Sequence, residues 1–495
     1  MASIKAKMAG PDKLHLEKPH TVPSSLDKEV YPLHWRPASV EDPPDIGGLP
    51  SLDDALYLFE TVKHHLDQHY RFFNEDCFTQ HLHEFYSTNS LQKATENGLW
   101  FVQFLLVLAF GNAFLLRTRS ARDPPGSRFF VRAMSLLPDH TTIWKDGILA
   151  VEVLALAALY LYSIDHREAA HVYVGQAIRI AQLDGLHTEL PEDELGIQTV
   201  ARCRNLWWTL YVMDRHISSS LGLPFMTQDS DITTALKPGI PGSRHDTTLS
   251  LHVKLSYLFS TILTSDEKCV LVATRPLLLS VLKERLDRLG GREDDWQSFL
   301  APTKALISTG IKSALKTLQI LADENSQLEV FLPFEMEVTY GAAIHLLIAN
   351  SLFPKATDKD NFIEEAHNVL DEMIFKGNRL ATARKTELAH LEGLFAELTV
   401  RVEQYGLQTL SLATPEQLHS NVEGQPSHMQ VLHTEGHRQF DLGGIPNCLD
   451  TSPSMPNLAG GVELLDDIGI SSYEFLSIID QIGGTERSIL DSRAS

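Results

Sequence analysis

The chain has 495 residues, room for about three domains of ~150 residues or one large domain with tails. Hydrophobic residues make up 43%, which excludes wholesale disorder. Lys and Arg number 42 against 64 Asp and Glu, a net charge of −22. No stretch gathers the basic residues, so the chain as a whole is repelled by a phosphate backbone.

The four cysteines, Cys77, Cys203, Cys269 and Cys448, lie too far apart for a C-x-x-C pair, a local zinc site or a disulfide framework. This usage points to a reducing, intracellular compartment. The first 30 residues lack the apolar run of a secretory signal.

Residues 1–50 carry eight prolines and nearly balanced charges, which predicts an extended, weakly ordered arm. Ser51 with Asp54 three positions on reads as a capping box. Leu52, Leu56, Phe59, Val62 and Leu66 follow at steps of four and three, one apolar stripe of a helix over 51–69.

Helices are predicted next at 91–117, 128–137, 146–164, 167–184 and 194–221. Others follow at 247–264, 266–289, 301–323, 332–351, 361–376 and 380–406, with Gly and Pro clusters between them. No sustained period-2 pattern occurs, so the fold class is all-α: a large domain of stacked antiparallel helices over 51–407. The apolar runs Leu99–Leu116 and Ile148–Ile164 are read as core helices rather than membrane spans, because they contain Gln103 and Glu152.

The pair 146–164 and 167–184 reads as a hairpin turning at Asp165-His166 and ending at Gly185, a C′ glycine. It resembles a unit of an α-solenoid, but no fixed period runs through the chain. Residues 408–460 have linker composition. In 461–495, Leu464, Leu465, Tyr473, Phe475 and Leu476 are interleaved with acids such as Asp466 and Asp467, which predicts an exposed activation segment, the alternative being an ordinary C-terminal amphipathic helix docked on the domain.

Enzyme signatures are missing: no P-loop, no G-x-G-x-x-G after a strand, no G-x-S-x-G. His166 and His171 are five apart and diverge on a helix. His65 and His69 have i, i+4 spacing, but two ligands make no metal site, and they are read as polar helix surface.

The most informative stretch runs from Arg202 to Pro224. On a helix, Arg204, Trp207, Tyr211 and Asp214 or Arg215 stack along one side, and Trp208 widens the buried surface. Two adjacent Trp residues bury much area and need partners for their N–H groups. Gly222 and Pro224 stop the helix. Arg202, Arg204, Asp214 and Arg215 read as polar anchors that pair within the helix or with its neighbours, the alternative being a ligand-contacting role for some residues of the stretch.

This run, Arg-x-Arg-x-x-Trp-Trp-x-x-Tyr-x-x-Asp-Arg followed by Ser-x-x-Leu-Gly-x-Pro and Asp229-Ser230-Asp231-Ile232, resembles the fungal-specific transcription factor domain. That domain is the middle homology region of fungal binuclear zinc-cluster regulators. Tyr173–Gly185 and the following Leu186-His187 agree with it, and the likeness is close over 51–240. From 241 to 407 the agreement is only in being helical.

The resemblance implies a nuclear regulator of transcription by RNA polymerase II. It also implies coactivator partners, a homo- or heterodimer and a small-molecule inducer. Zinc is typical of the family, but its ligand set of six closely spaced Cys is missing from these 495 residues. DNA reading is therefore expected only through a cluster supplied upstream or by a partner. No membrane, metal or catalytic residue is expected. The alternative is a helical enzyme or ligand-binding protein with an unrecognised site.

Overall fold

The computed structural model describes residues 30–39, 43–67, 69–115, 123–236, 249–250, 252–254, 256, 278, 304–323, 328–353 and 361–404. The expected helices over 247–264 and 266–289, the linker and the activation segment with Leu464, Leu465, Asp466, Asp467, Tyr473, Phe475 and Leu476 lie outside the described residues or almost so.

Among the described residues the fold is all-α, with no strand. The first helices are α1 (Leu52–Leu66), α2 (Glu75–Ser87), α3 (Ser90–Glu96), α4 (Gly98–Leu115) and α5 (Ser127–Leu136). They are followed by α6 (Gly147–Ser163), α7 (Arg167–Leu183), α8 (Glu192–Leu195) and α9 (Ile197–Leu221). A second group comprises α10 (Lys304–Leu321), α11 (Phe334–Leu352), α12 (Phe362–Phe375) and α13 (Arg379–Gln404).

Ser51 caps α1 as expected. Its Oγ accepts from the Asp54 backbone N–H at 3.2 Å and donates to the Asp54 carboxylate at 2.7 Å. α4 and α6 are apolar all round because protein covers them all round. By length and composition both could cross a membrane, yet most of each is buried inside this fold. α6 and α7 form the predicted hairpin. Asp165 takes a left-handed conformation (φ 66°), and the His166 N–H closes the turn on the Leu161 carbonyl at 2.9 Å.

Three expectations change. α2 was not anticipated; Phe78, Leu82 and Phe85 are its buried stripe and Asn74 its N-cap. The span 91–117 is two helices, broken at Asn97, and 194–221 is broken at Gly196 (φ 82°). Part of the Pro-rich arm is a packed strap: Tyr31 and Leu33 are buried, and the His166 ring hydrogen-bonds the Tyr31 carbonyl at 2.8 Å. The Tyr31 hydroxyl in turn accepts from the Arg379 N–H at 3.2 Å, so the strap links the two helix groups.

α7 and α9 both end on left-handed glycines, Gly185 (φ 75°) and Gly222 (φ 69°). Open space surrounds a Cβ built at Gly222, so Gly222→Ala is expected to cost only the conformational strain, about 1–2 kcal/mol. Urea denaturation checks this; a neutral variant would show that the helix ends without needing the left-handed residue.

Candidate functional site

α9 is the spine of the site, a helix of 25 residues whose two ends do different things. Toward its N-terminus, Arg202 reaches Glu152 of α6, with Nε and an Nη atom 2.8 and 2.5 Å from one carboxylate oxygen. Gln103 of α4 donates to the other oxygen at 2.9 Å. Glu152 is buried, and burial pushes its carboxyl up to about 7 even though Arg202 and Gln103 pull it down. Arg204 pairs with Glu192 of α8 at 3.1 Å.

The tryptophans occupy the middle. Trp207 is 1% exposed, and its ring centroid lies 5.6 Å from that of His187. Its indole N–H finds no partner, against the expectation that both would be paired. Trp208 is 9% exposed, meets Tyr211 edge-on, and its N–H points at the Ala235 carbonyl 3.5 Å away.

Toward the C-terminus, Asp214 and Arg215 are both buried and tie the following loop to the helix. Arg215 donates to Asp214 at 3.0 Å, to the Thr227 hydroxyl at 2.7 Å, to the Thr227 carbonyl at 2.9 Å and to Asp229 at 2.8 Å. Its guanidinium lies 3.6 Å from the Tyr211 ring centroid, and the Tyr211 hydroxyl also donates to Asp229. Asp214 accepts from Ser218 and from the Met226 backbone N–H. Burial raises the Asp214 carboxyl, while Arg215 pulls it back down. Asp214 and Arg215 thus act as anchors, as the spacing suggested, and their partner is the loop carrying Asp229.

That loop forms one wall of a cavity of about 1690 Å³. Arg215, Gly222 and Pro224 line it, so the motif's C-terminal half is at the cavity. Arg202, Arg204, Trp207, Trp208, Tyr211 and Asp214 are not among its lining residues. Opposite, α11 contributes Phe334, Glu337 and Tyr340, and α13 contributes Arg384. His69, His216 and His252 also line it and were missed from sequence. His69 was read as helix surface; it follows α1 and stacks on His252 at 5.2 Å.

The surrounding protein pushes His69 and His216 down to about 4, although the His216 side chain is open to the cavity, and His252 down as well, so the first two are neutral at pH 7. Arg167 of α7 is bonded to Asp165 at 2.7 Å and to Glu337, whose other oxygen accepts from Tyr162 at 3.1 Å. Arg384 meets Glu387 at 3.2 Å and Asp165 at 3.6 Å. Among the described residues, no three His, Cys, Asp or Glu side chains come together as metal ligands.

The profile of the fungal specific transcription factor domain matches residues 59–330, which reaches further toward the C-terminus than the motif-bearing part 51–240. The chain is 28% identical over 197 residues to an uncharacterized transcriptional regulatory protein of Schizosaccharomyces pombe, covering 39% of this chain and 24% of the relative. It is 29% identical over 177 residues to the sorbicillinoid biosynthetic cluster transcription factor 2 of Penicillium rubens, covering 35% of this chain and 26% of that one. A thiamine repressible genes regulatory protein of Schizosaccharomyces pombe is 27% identical over 157 residues, 30% of this chain and 20% of the relative.

The alignments thus span about a quarter of the length of these curated relatives. No solved structure matches. None of the relatives just named is an enzyme by its name, and the enzyme alternative has no counterpart among them. With its domain profile matched over more than half its length, the chain belongs to the fungal specific transcription factor domain family.

Proposed function

We propose that the chain is the regulatory and effector region of a nuclear fungal transcription regulator. It acts on transcription by RNA polymerase II through coactivators that engage 461–495. The domain match over 59–330 carries this reading. The helical domain holds the activation segment available or restrained according to what occupies the cavity beside α9, a small-molecule inducer in the first instance. A homo- or heterodimer and a zinc cluster supplied upstream or by a partner complete the DNA-reading unit.

Fused to an unrelated DNA-binding domain, residues 455–495 are expected to activate a reporter. Phe475→Ala with Leu476→Ala should remove most of that activity, and neutralising Asp466 and Asp467 a smaller part, because apolar side chains fill the coactivator groove while acids aid encounter. A silent fusion overturns the assignment of the activating segment.

The net charge of −22 and the scattered cysteines also predict that the purified chain gives no sequence-specific shift of duplex DNA at physiological salt, with or without zinc. Nanomolar specific binding in a gel-shift titration contradicts this.

A further inference from the structure

We propose that the cavity binds a neutral, planar, polycyclic aromatic molecule bearing hydroxyl or carbonyl groups, with a polar edge on the His216 ring and a face against Phe334. This rests on reading the cavity as the effector site and adds the chemical class of the effector.

The first observation is His216 itself. It sits within α9, a helix whose neighbouring positions Arg215 and Ile217 are buried, yet it is exposed. What it faces is the cavity. Among the described residues no hydrogen bond engages its ring, so an imidazole with a donor and an acceptor nitrogen is presented to the space. A polar side chain directed into a cavity is the kind of placed group that orients a ligand.

The second observation is that the arginines among the described lining residues are matched. Arg167 is paired with Asp165 and Glu337, Arg215 with Asp214 and Asp229, and Arg384 with Glu387. His69 and His216 add no charge at pH 7, since both titrate at about 4. Among the described lining residues, an anionic ligand finds no arginine that is not already bonded to a carboxylate, and a cationic one no spare carboxylate. Either would lose its hydration without full compensation, a cost of several kcal/mol per ion.

The third observation is shape. His69 and His252 are nearly parallel, at 7°, and the Phe334 ring lies 5.1 Å from His69 and 5.7 Å from His216. At these spacings the rings pack on one another, so a further flat π-system meets the faces they turn to the cavity, by offset or edge-on stacking. At about 1690 Å³ the cavity exceeds the ~300–1,000 Å³ typical of drug-sized sites, which suits several fused rings with bridging water.

The test uses the full chain at pH 7.5 and three probes with one ring system: 9-phenanthrol, phenanthrene-9-carboxylate and phenanthren-9-ylmethylammonium, titrated by calorimetry. 9-Phenanthrol is expected to bind at least about tenfold more tightly than either charged probe. His216→Leu should weaken it about tenfold with an unchanged melting temperature, while His216→Gln, which keeps a donor and an acceptor, should retain most of the affinity. A charged probe binding as tightly as the phenol overturns the chemical class and leaves the effector-site reading standing. Unchanged phenol affinity in a folded His216→Leu overturns the placement at His216. If no probe binds up to its solubility limit, the polycyclic aromatic class falls, and the effector-site reading, which does not depend on that ring system, is left standing. Should His216→Leu fail to fold, the ranking of the three probes on the native chain decides the class by itself.

Discussion

Replacing Trp207 with alanine is expected to remove about 3–5 kcal/mol of stability, the range for deleting a fully buried aromatic ring. Trp207 is 1% exposed against 9% for Trp208, and its ring lies beside that of His187, just past the end of α7. Trp208→Ala should cost less, since its ring lies nearer the surface and its N–H bond is a long one.

A sharper control is Trp207→Phe. It loses ring area but also removes a buried N–H that has no partner, a group that costs roughly 1–3 kcal/mol to keep unsatisfied. Its net effect should therefore be small. Thermal and urea unfolding measure all three. If Trp207→Ala left the melting temperature unchanged while abolishing an effector response, Trp207 would be a ligand contact and not core.

The second large effect is expected from Arg202→Met, and it should depend on pH. Glu152 has a folded pKa of about 7, above its ordinary 4.5. A carboxyl raised in this way binds its proton more tightly folded than unfolded. The stability it contributes is complete below about pH 4.5 and is lost as pH rises from there to about 7. Removing Arg202 takes away the strongest influence holding the pKa down, so the loss continues to higher pH.

The variant should thus be destabilised by about 3 kcal/mol at pH 8.5, as for a buried pair that loses one partner, and by much less at pH 5, where Glu152 is protonated in both proteins. Urea denaturation at the two pH values reads the difference directly. Equal losses at both would mean that Arg202 acts through packing alone. Glu152→Gln in the same background should remove the pH dependence, because it carries no proton to lose.

These two expectations rest on contacts of different legibility. The burial of Trp207 follows from local pattern: it lies one helical turn from both Arg204 and Tyr211 on a helix ended by Gly222. The pairing of Arg202 with Glu152 does not. Both residues were noticeable in sequence, Glu152 as an acid in an apolar run and Arg202 as the head of a motif. Nothing local says that residues 50 apart meet.

α2 was missed for a related reason. Its stripe is short, Phe78, Leu82 and Phe85, and polar or charged residues surround it. Its apolar side chains gain enough from packing on Phe59, Trp100 and Phe104 to stabilise a helix that propensity alone leaves undecided. The strap at Tyr31 is similar. A Pro-rich segment reads as unstructured because it makes no internal hydrogen bonds, and here helices laid down later in the chain supply the partners.

By itself the sequence determined the all-α class, the α6–α7 hairpin, the ends of α7 and α9 and the family, because helical period, capping side chains and left-handed glycines act over a few residues. The tertiary structure alone decided which charges pair and where the cavity lies. His69, His216 and His252 come from three separate stretches of chain and meet only when α9 is packed across α7 and faced by α11. The lowered pKa values follow from that enclosure, since an imidazole in water keeps a pKa near 6.5 and the protein around His69 and His216 brings theirs down to about 4.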